Sequence, residues 1–88
     1  MADPRDVSVS KLLSKTICAL VDRPEFVVIK THAAEEGASL SIDVHPDDIG
    51  KIIGRRGRNA KSLRTILSAV GQTLHRRYVL VVDEGNPG

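Results

Sequence analysis

Ile52-Ile53-Gly54-Arg55-Arg56-Gly57 lies between two stretches of helical apolar spacing, and its two glycines demand a tight turn with an accessible main chain. Glycine takes φ > 0 without steric cost and, lacking a Cβ, lets another chain approach its N–H closely. From Ile49 to Arg64 no acidic residue occurs, while Lys51, Arg55, Arg56, Arg58, Lys61 and Arg64 are basic. These six of the chain's 13 Lys and Arg sit in and around one loop, so the net charge of +2 hides a basic patch on an acidic body. Such asymmetry implies a polyanionic partner. A helix starting at Arg58 would add its orphan N–H groups and positive dipole end at the same place.

Eighty-eight residues make one domain near the lower end of unaided folding, with little room for an elaborate active site. The single cysteine excludes an internal disulfide framework. No stretch has the ~20 apolar residues of a membrane span, and the start does not resemble a signal peptide. The expected location is the cytoplasm.

Residues 1–7 read as a flexible arm. From Ser8 or Ser10, Val9, Leu12, Leu13, Ile17 and Leu20 repeat at helical spacing, with Cys18 beside that face, until Asp22-Arg23-Pro24 ends the helix. Phe26 to His32 is β-branched and reads as a strand. Glu35-Glu36-Gly37 is a turn, and Leu40, Ile42 and Val44 alternate with polar residues in a second strand, giving an antiparallel hairpin. Pro46 opens a short helix, with Asp47 and Asp48 complementing its dipole and Ile49, Ile52 and Ile53 on its apolar side; it is expected to end at Gly54. After the loop, Ala60, Leu63, Leu67, Val70 and Leu74 mark a long helix. Gly71 either stops it or is tolerated at a cost of ~1 kcal/mol; Leu74 keeps the period, so the helix is expected to reach about His75. Tyr78 to Val82 is the last strand, and residues 84–88 read as a flexible tail.

The loop and its flanks resemble the GXXG core of a KH domain, whose loop clamps the backbone of about four single-stranded nucleotides. The longer run from Val44 to Arg58 resembles small stand-alone bacterial KH proteins of the KhpA type, and the resemblance extends from about Val9 to Asp83. It implies an α+β fold: one type II KH domain over residues 8–83, in the order α-β-β-α-α-β, with three helices on one face of a three-stranded sheet. It also implies a backbone grip at Gly54, Arg55, Arg56 and Gly57, with Lys51, Arg58 and Lys61 in support. Bases would lie in an apolar groove between the helices and the second strand, for which Ile42, Val44, Ile49, Ile52 and Ile53 serve as lining or simply as core. Asn59 reads either as a base contact or as support for the helix start. Ala60 departs from the larger aliphatic residue many KH domains carry there. As partners the resemblance implies single-stranded RNA, a second copy of the chain, or a larger KhpB-like KH protein, in post-transcriptional control linked to cell elongation and division.

The leading expectation is a non-enzymatic RNA-binding protein acting as chaperone or regulator; the alternative is an adaptor whose fold mainly dimerises. Only Phe26 and Tyr78 are aromatic, so a base-stacking platform is not expected. Gly50-Lys51-Ile52 lacks the Ser/Thr that follows a P-loop lysine, and no Rossmann glycine pattern or catalytic triad occurs. His32, His45 and His75 fall in separate elements, and helix-start charge accounts for Asp47 and Asp48. No cofactor, metal or catalytic residue is expected.

Overall fold

The computed structural model describes residues 2–83. Helix α1 spans Pro4–Leu20, strands β1 and β2 span Val28–Ala33 and Gly37–Asp43, and helices α2 and α3 span Ile49–Ile53 and Arg58–Leu74. Strand β3, Arg77–Val82, closes the order α-β-β-α-α-β.

The expected arm through residue 7 gives way to helix from Pro4. Proline fits the first helical position because the N–H it lacks would be unpaired there, and Asp3 accepts the Arg5 N–H at 2.9 Å as the cap. The early start also buries Asp6, which is only 2% exposed. Its carboxylate accepts from Arg76 Nε at 3.1 Å, Arg76 Nη2 at 2.6 Å and Tyr78 Oη at 2.8 Å. Arg76 also donates to the Glu35 and Gly37 carbonyls, binding the first turn of α1 to β3 and to the hairpin turn. Met1 and the expected tail at residues 84–88 lie outside the described residues.

Phe26, expected in the first strand, sits instead in a 3-10 turn over Pro24–Phe26, closed by the Val27 N–H on the Pro24 carbonyl at 3.1 Å. β1 and β2 form the antiparallel hairpin, with Ile29 opposite Ile42 and Thr31 opposite Leu40. β3 pairs parallel to β2, Leu40 beside Leu80, so the sheet order is β1-β2-β3. α1, α2 and α3 bury Val9, Leu13 and Ile17, Ile52, and Leu63 and Leu67 against Leu40, Ile42, Tyr78 and Leu80 on one sheet face. On the other face Val79 and Val81 stay about half exposed.

α3 continues past Gly71 to Leu74 as expected. His75 takes φ 58°, and the Arg76 N–H reaches back to the Gly71 carbonyl at 2.9 Å to close the helix end. Arg76 folds inward onto Asp6, while Arg77 begins β3.

Candidate nucleic-acid interface

The loop is a built turn. Gly54 ends α2 with φ 77° and ψ 170°, a region only glycine occupies readily, and its N–H bonds the Gly50 carbonyl at 2.8 Å. Arg56 and Gly57 follow at φ 57° and 72°, both left-handed, and the Gly57 N–H closes onto the Gly54 carbonyl at 3.1 Å. α3 starts at the next residue. Two consecutive left-handed residues turn the chain back on itself and leave Arg55 and Arg56 exposed at the tip.

Asn59 holds this shape. Its Nδ2 donates to the Lys51 carbonyl at 2.7 Å, and its side chain packs on Gly54 so closely that a Cβ there would lie 2.7 Å from Asn59 Cγ. Of its two readings, the structure shows support of the helix start.

Asp48 is the residue that sequence reasoning undervalued. It is 1% exposed, and its two oxygens accept the Asp22 and Arg23 backbone N–H groups at 3.2 and 3.1 Å. Burial pushes its pKa up, but those two N–H donors and the Lys51 ammonium more than offset this and hold it below the usual carboxylate value. Asp48 therefore joins the segment leaving α1 to the start of α2, fixing the base from which the loop projects. The signal for this was only its place beside Asp47 at a helix start, which dipole chemistry explained too easily.

Lys51 belongs to the same assembly. Its ammonium contacts Asp22 and lies 3.5 Å from Asp48, and the Asp22 hydrogen bond raises its pKa. By contrast Arg55, Arg56, Arg58, Lys61 and Arg64 are exposed and make no ion pair among the described residues. The expected basic set thus divides into one cation already neutralised and five free ones.

The apolar candidates divide too. Ile42 and Ile52 are fully buried and Val44 nearly so, which makes them core. Ile49 and Ile53 are half-buried at the two ends of α2; Ile49 packs against the core and Ile53 directly precedes the loop. β2 is paired along both edges, so it cannot form the open wall of a groove. The free main-chain edge on the α3 side is that of β3, against which α3 packs. Ala60 is buried at the start of α3. The two aromatic residues do not form a shared stacking platform: Tyr78 is buried on Asp6, while Phe26 is about half exposed and meets the His45 ring in a T-shaped contact at 4.8 Å between centroids.

A helix, hairpin, helix, GXXG turn, helix and parallel return strand on a three-stranded sheet define a type II KH domain. The family model for the KhpA/KhpB KH domain matches residues 10–82, and the chain belongs to that family. It is 42% identical over 59 residues to the RNA-binding protein KhpA of Streptomyces coelicolor, covering 67% of this chain and 75% of that one. To the RNA-binding protein KhpA of Oceanobacillus iheyensis it is 43% identical over 69 residues, 78% of this chain and 92% of the relative. The RNA-binding protein KhpA of Halalkalibacterium halodurans gives 39% over 73 residues, 82% and 96%. No solved structure gives a significant match.

Proposed function

We propose that this protein binds single-stranded RNA without catalysing a reaction on it, gripping the sugar-phosphate backbone with Gly54, Arg55, Arg56 and Gly57. The observation that carries this reading is a rigid turn at a helix N-terminus whose two tip arginines are exposed and unpaired. Backbone N–H groups, the α3 dipole and guanidinium forks converge there, each favourable to phosphate. Arg58 and Lys61, in the first turn of α3, add charge beside the loop, while Lys51 contributes through its position under the loop. Ile49 and Ile53 offer apolar contact to a base, and the open edge of β3 offers main-chain donors and acceptors. The relatives named as RNA-binding proteins support the choice of RNA.

Few phosphates are within reach of one loop, so a single module binds weakly, and a second module in the same assembly supplies useful affinity. A second copy of this chain or a larger KhpB-like KH protein fits that need, and a chaperone or post-transcriptional regulator, in the cytoplasm and linked to cell elongation and division, is the corresponding role. Fluorescence anisotropy of labelled single-stranded RNA tests the site. The wild type should bind in a salt-sensitive way, and an Arg55→Asp/Arg56→Asp variant with unchanged circular dichroism should not. Binding retained by the folded variant would overturn the loop assignment; dimerisation without any RNA binding by the wild type would favour the adaptor.

A further inference from the structure

We propose that the bound RNA strand does not leave the protein at the loop but continues along one flank of α3, touching Arg64, Ser68 and Gln72. This rests on the RNA-binding reading above and lengthens its footprint. Lys61, Arg64, Thr65, Ser68 and Gln72 recur at three and four residues, so they form one stripe along the helix. They line a continuous surface depression. A second depression shares Ser68 and Gln72 with the first and runs on to His75 and Arg77. Sharing those residues, the two make a trough that extends from Lys61, in the first turn after the loop, to His75 at the far end of α3, about 21 Å of helical rise.

The chemistry of the trough fits a polyanion. α3 contains no acidic residue, and Arg58, Lys61 and Arg64 carry no ion pair among the described residues, although Arg5, Arg23, Lys51 and Arg76 are all matched with carboxylates elsewhere. Unmatched like charges one helical turn apart repel, and a phosphate chain relieves that repulsion. The Ser68 hydroxyl and the Gln72 amide make no hydrogen bond among the described residues, whereas Thr65 and Thr73 both bond the helix carbonyls behind them. They remain available to phosphate or sugar. Beyond Gln72 the lining becomes mixed in charge, Glu35 and Glu36 standing with Arg5, Arg76 and Arg77, so the stretch free of acidic residues ends there.

The test compares oligouridines of about four and about ten nucleotides, the shorter matching the loop clamp alone. Anisotropy is measured with the wild type, with Arg64→Glu/Ser68→Glu and with Arg55→Asp/Arg56→Asp, each checked by circular dichroism. The ten-mer should bind the wild type more tightly than the roughly sevenfold gain that extra registers of a four-nucleotide site provide. Arg64→Glu/Ser68→Glu should remove the excess and leave the four-mer unchanged, and the ten-mer's salt slope should fall by about 0.7 for each phosphate no longer neutralised. No excess gain in the wild type, or an equal loss for both lengths in the α3 variant, would overturn the track. Failure of the loop reading looks different: both lengths would then survive Arg55→Asp/Arg56→Asp.

Discussion

Replacing Gly54 by alanine should cost about 3 kcal/mol of stability, the upper end for a residue forced into glycine-only backbone. The same change at Gly57 should cost about 1 kcal/mol. The difference comes from the surroundings of two glycines in one motif. Gly54 has φ 77° and ψ 170°, and an added Cβ would lie 2.7 Å from Asn59 Cγ and 2.8 Å from Asn59 N. The second of those atoms is main chain in the first turn of α3, so it cannot give way without disturbing the helix. Gly57 has φ 72° and ψ 15°, a left-handed conformation other residues adopt at modest cost, and its Cβ would point into open space. For a domain of this size ~1 kcal/mol moves the melting temperature by about 4–8 °C, so Gly57→Ala should lower it by that much and Gly54→Ala by about three times as much. Thermal melts followed by far-UV circular dichroism measure both. Adding Asn59→Gly should fail to restore Gly54→Ala, because the backbone nitrogen remains. Equal shifts for the two alanines, or full rescue by Asn59→Gly, would refute the reasoning.

Two other glycines should respond in opposite directions: Gly50→Ala, with nothing near its Cβ, should stabilise α2 by about 0.5–1 kcal/mol, whereas Gly71→Ala drives its Cβ into the Arg76 carbonyl and should destabilise in spite of better helix propensity, both read by urea denaturation. Burial first, then the Asp6 carboxylate, pushes the Tyr78 hydroxyl up to about 12. Its contribution to stability is therefore complete below about pH 10, the unfolded value, and is lost as pH rises through about 12; Tyr78→Phe should remove that alkaline loss from a stability profile, leaving the one from Lys51, whose pKa is also raised. Asp6 behaves in the opposite sense: Arg76 holds its pKa below the unfolded value, so its contribution is present above about pH 4 and is lost as pH falls, and an Asp6→Asn melt should lack that acid limb. Asp22→Asn should release the Lys51 ammonium from its nearer carboxylate, leaving only Asp48 at 3.5 Å, and tighten RNA binding with a salt slope steeper by up to about 0.7, seen by anisotropy; weaker binding would show that the ion pair serves the site by fixing its position.

Periodicity made the elements legible, and local chemistry hid their limits. The long apolar repeat of α3 and the alternation of β2 follow from which face is buried, and both are visible in single residues. The first turn of α1 was not, because Asp3, Pro4 and Asp6 look like a polar arm until Arg76, seventy positions away, supplies the partner that buries Asp6. Phe26 reads as strand by composition, but Pro24 and the Asp48 grip on the preceding main chain set a turn there. At the site, the sequence shows where cations are concentrated and not which of them are neutralised. Lys51 looks like Arg58 and Lys61 in sequence, and only the return of Asp22 to its side separates it from them. Asn59 likewise needed the position of the Lys51 carbonyl to be assigned. Ile42, Val44 and Ile52 could not be told from groove lining, because core and groove ask for the same apolar side chains.

The distribution of ion pairs also sets how the site should respond to salt. Five of the carboxylates outside the loop are used in ion pairs: Asp3 and Asp6 engage Arg5 and Arg76, Asp47 engages Arg23, and Asp22 and Asp48 engage Lys51. What remains near the loop is a compact unpaired group, Arg55, Arg56, Arg58 and Lys61, held on rigid backbone. If each neutralises one phosphate of a short single strand, log K should fall with log salt at a slope of about −3, so raising salt from about 50 to about 200 mM should weaken binding by about fiftyfold. Titrations of a 5′-phosphorylated four-nucleotide RNA, which carries four phosphates, measure the slope directly across that range. A slope of about −1 would mean that the arginines at the tip are not on phosphates, and that affinity comes instead from base contacts at Ile49, Ile53 and the β3 edge. A slope near −3 makes the module a backbone clamp whose hold on RNA in the cell depends on how many such clamps act together.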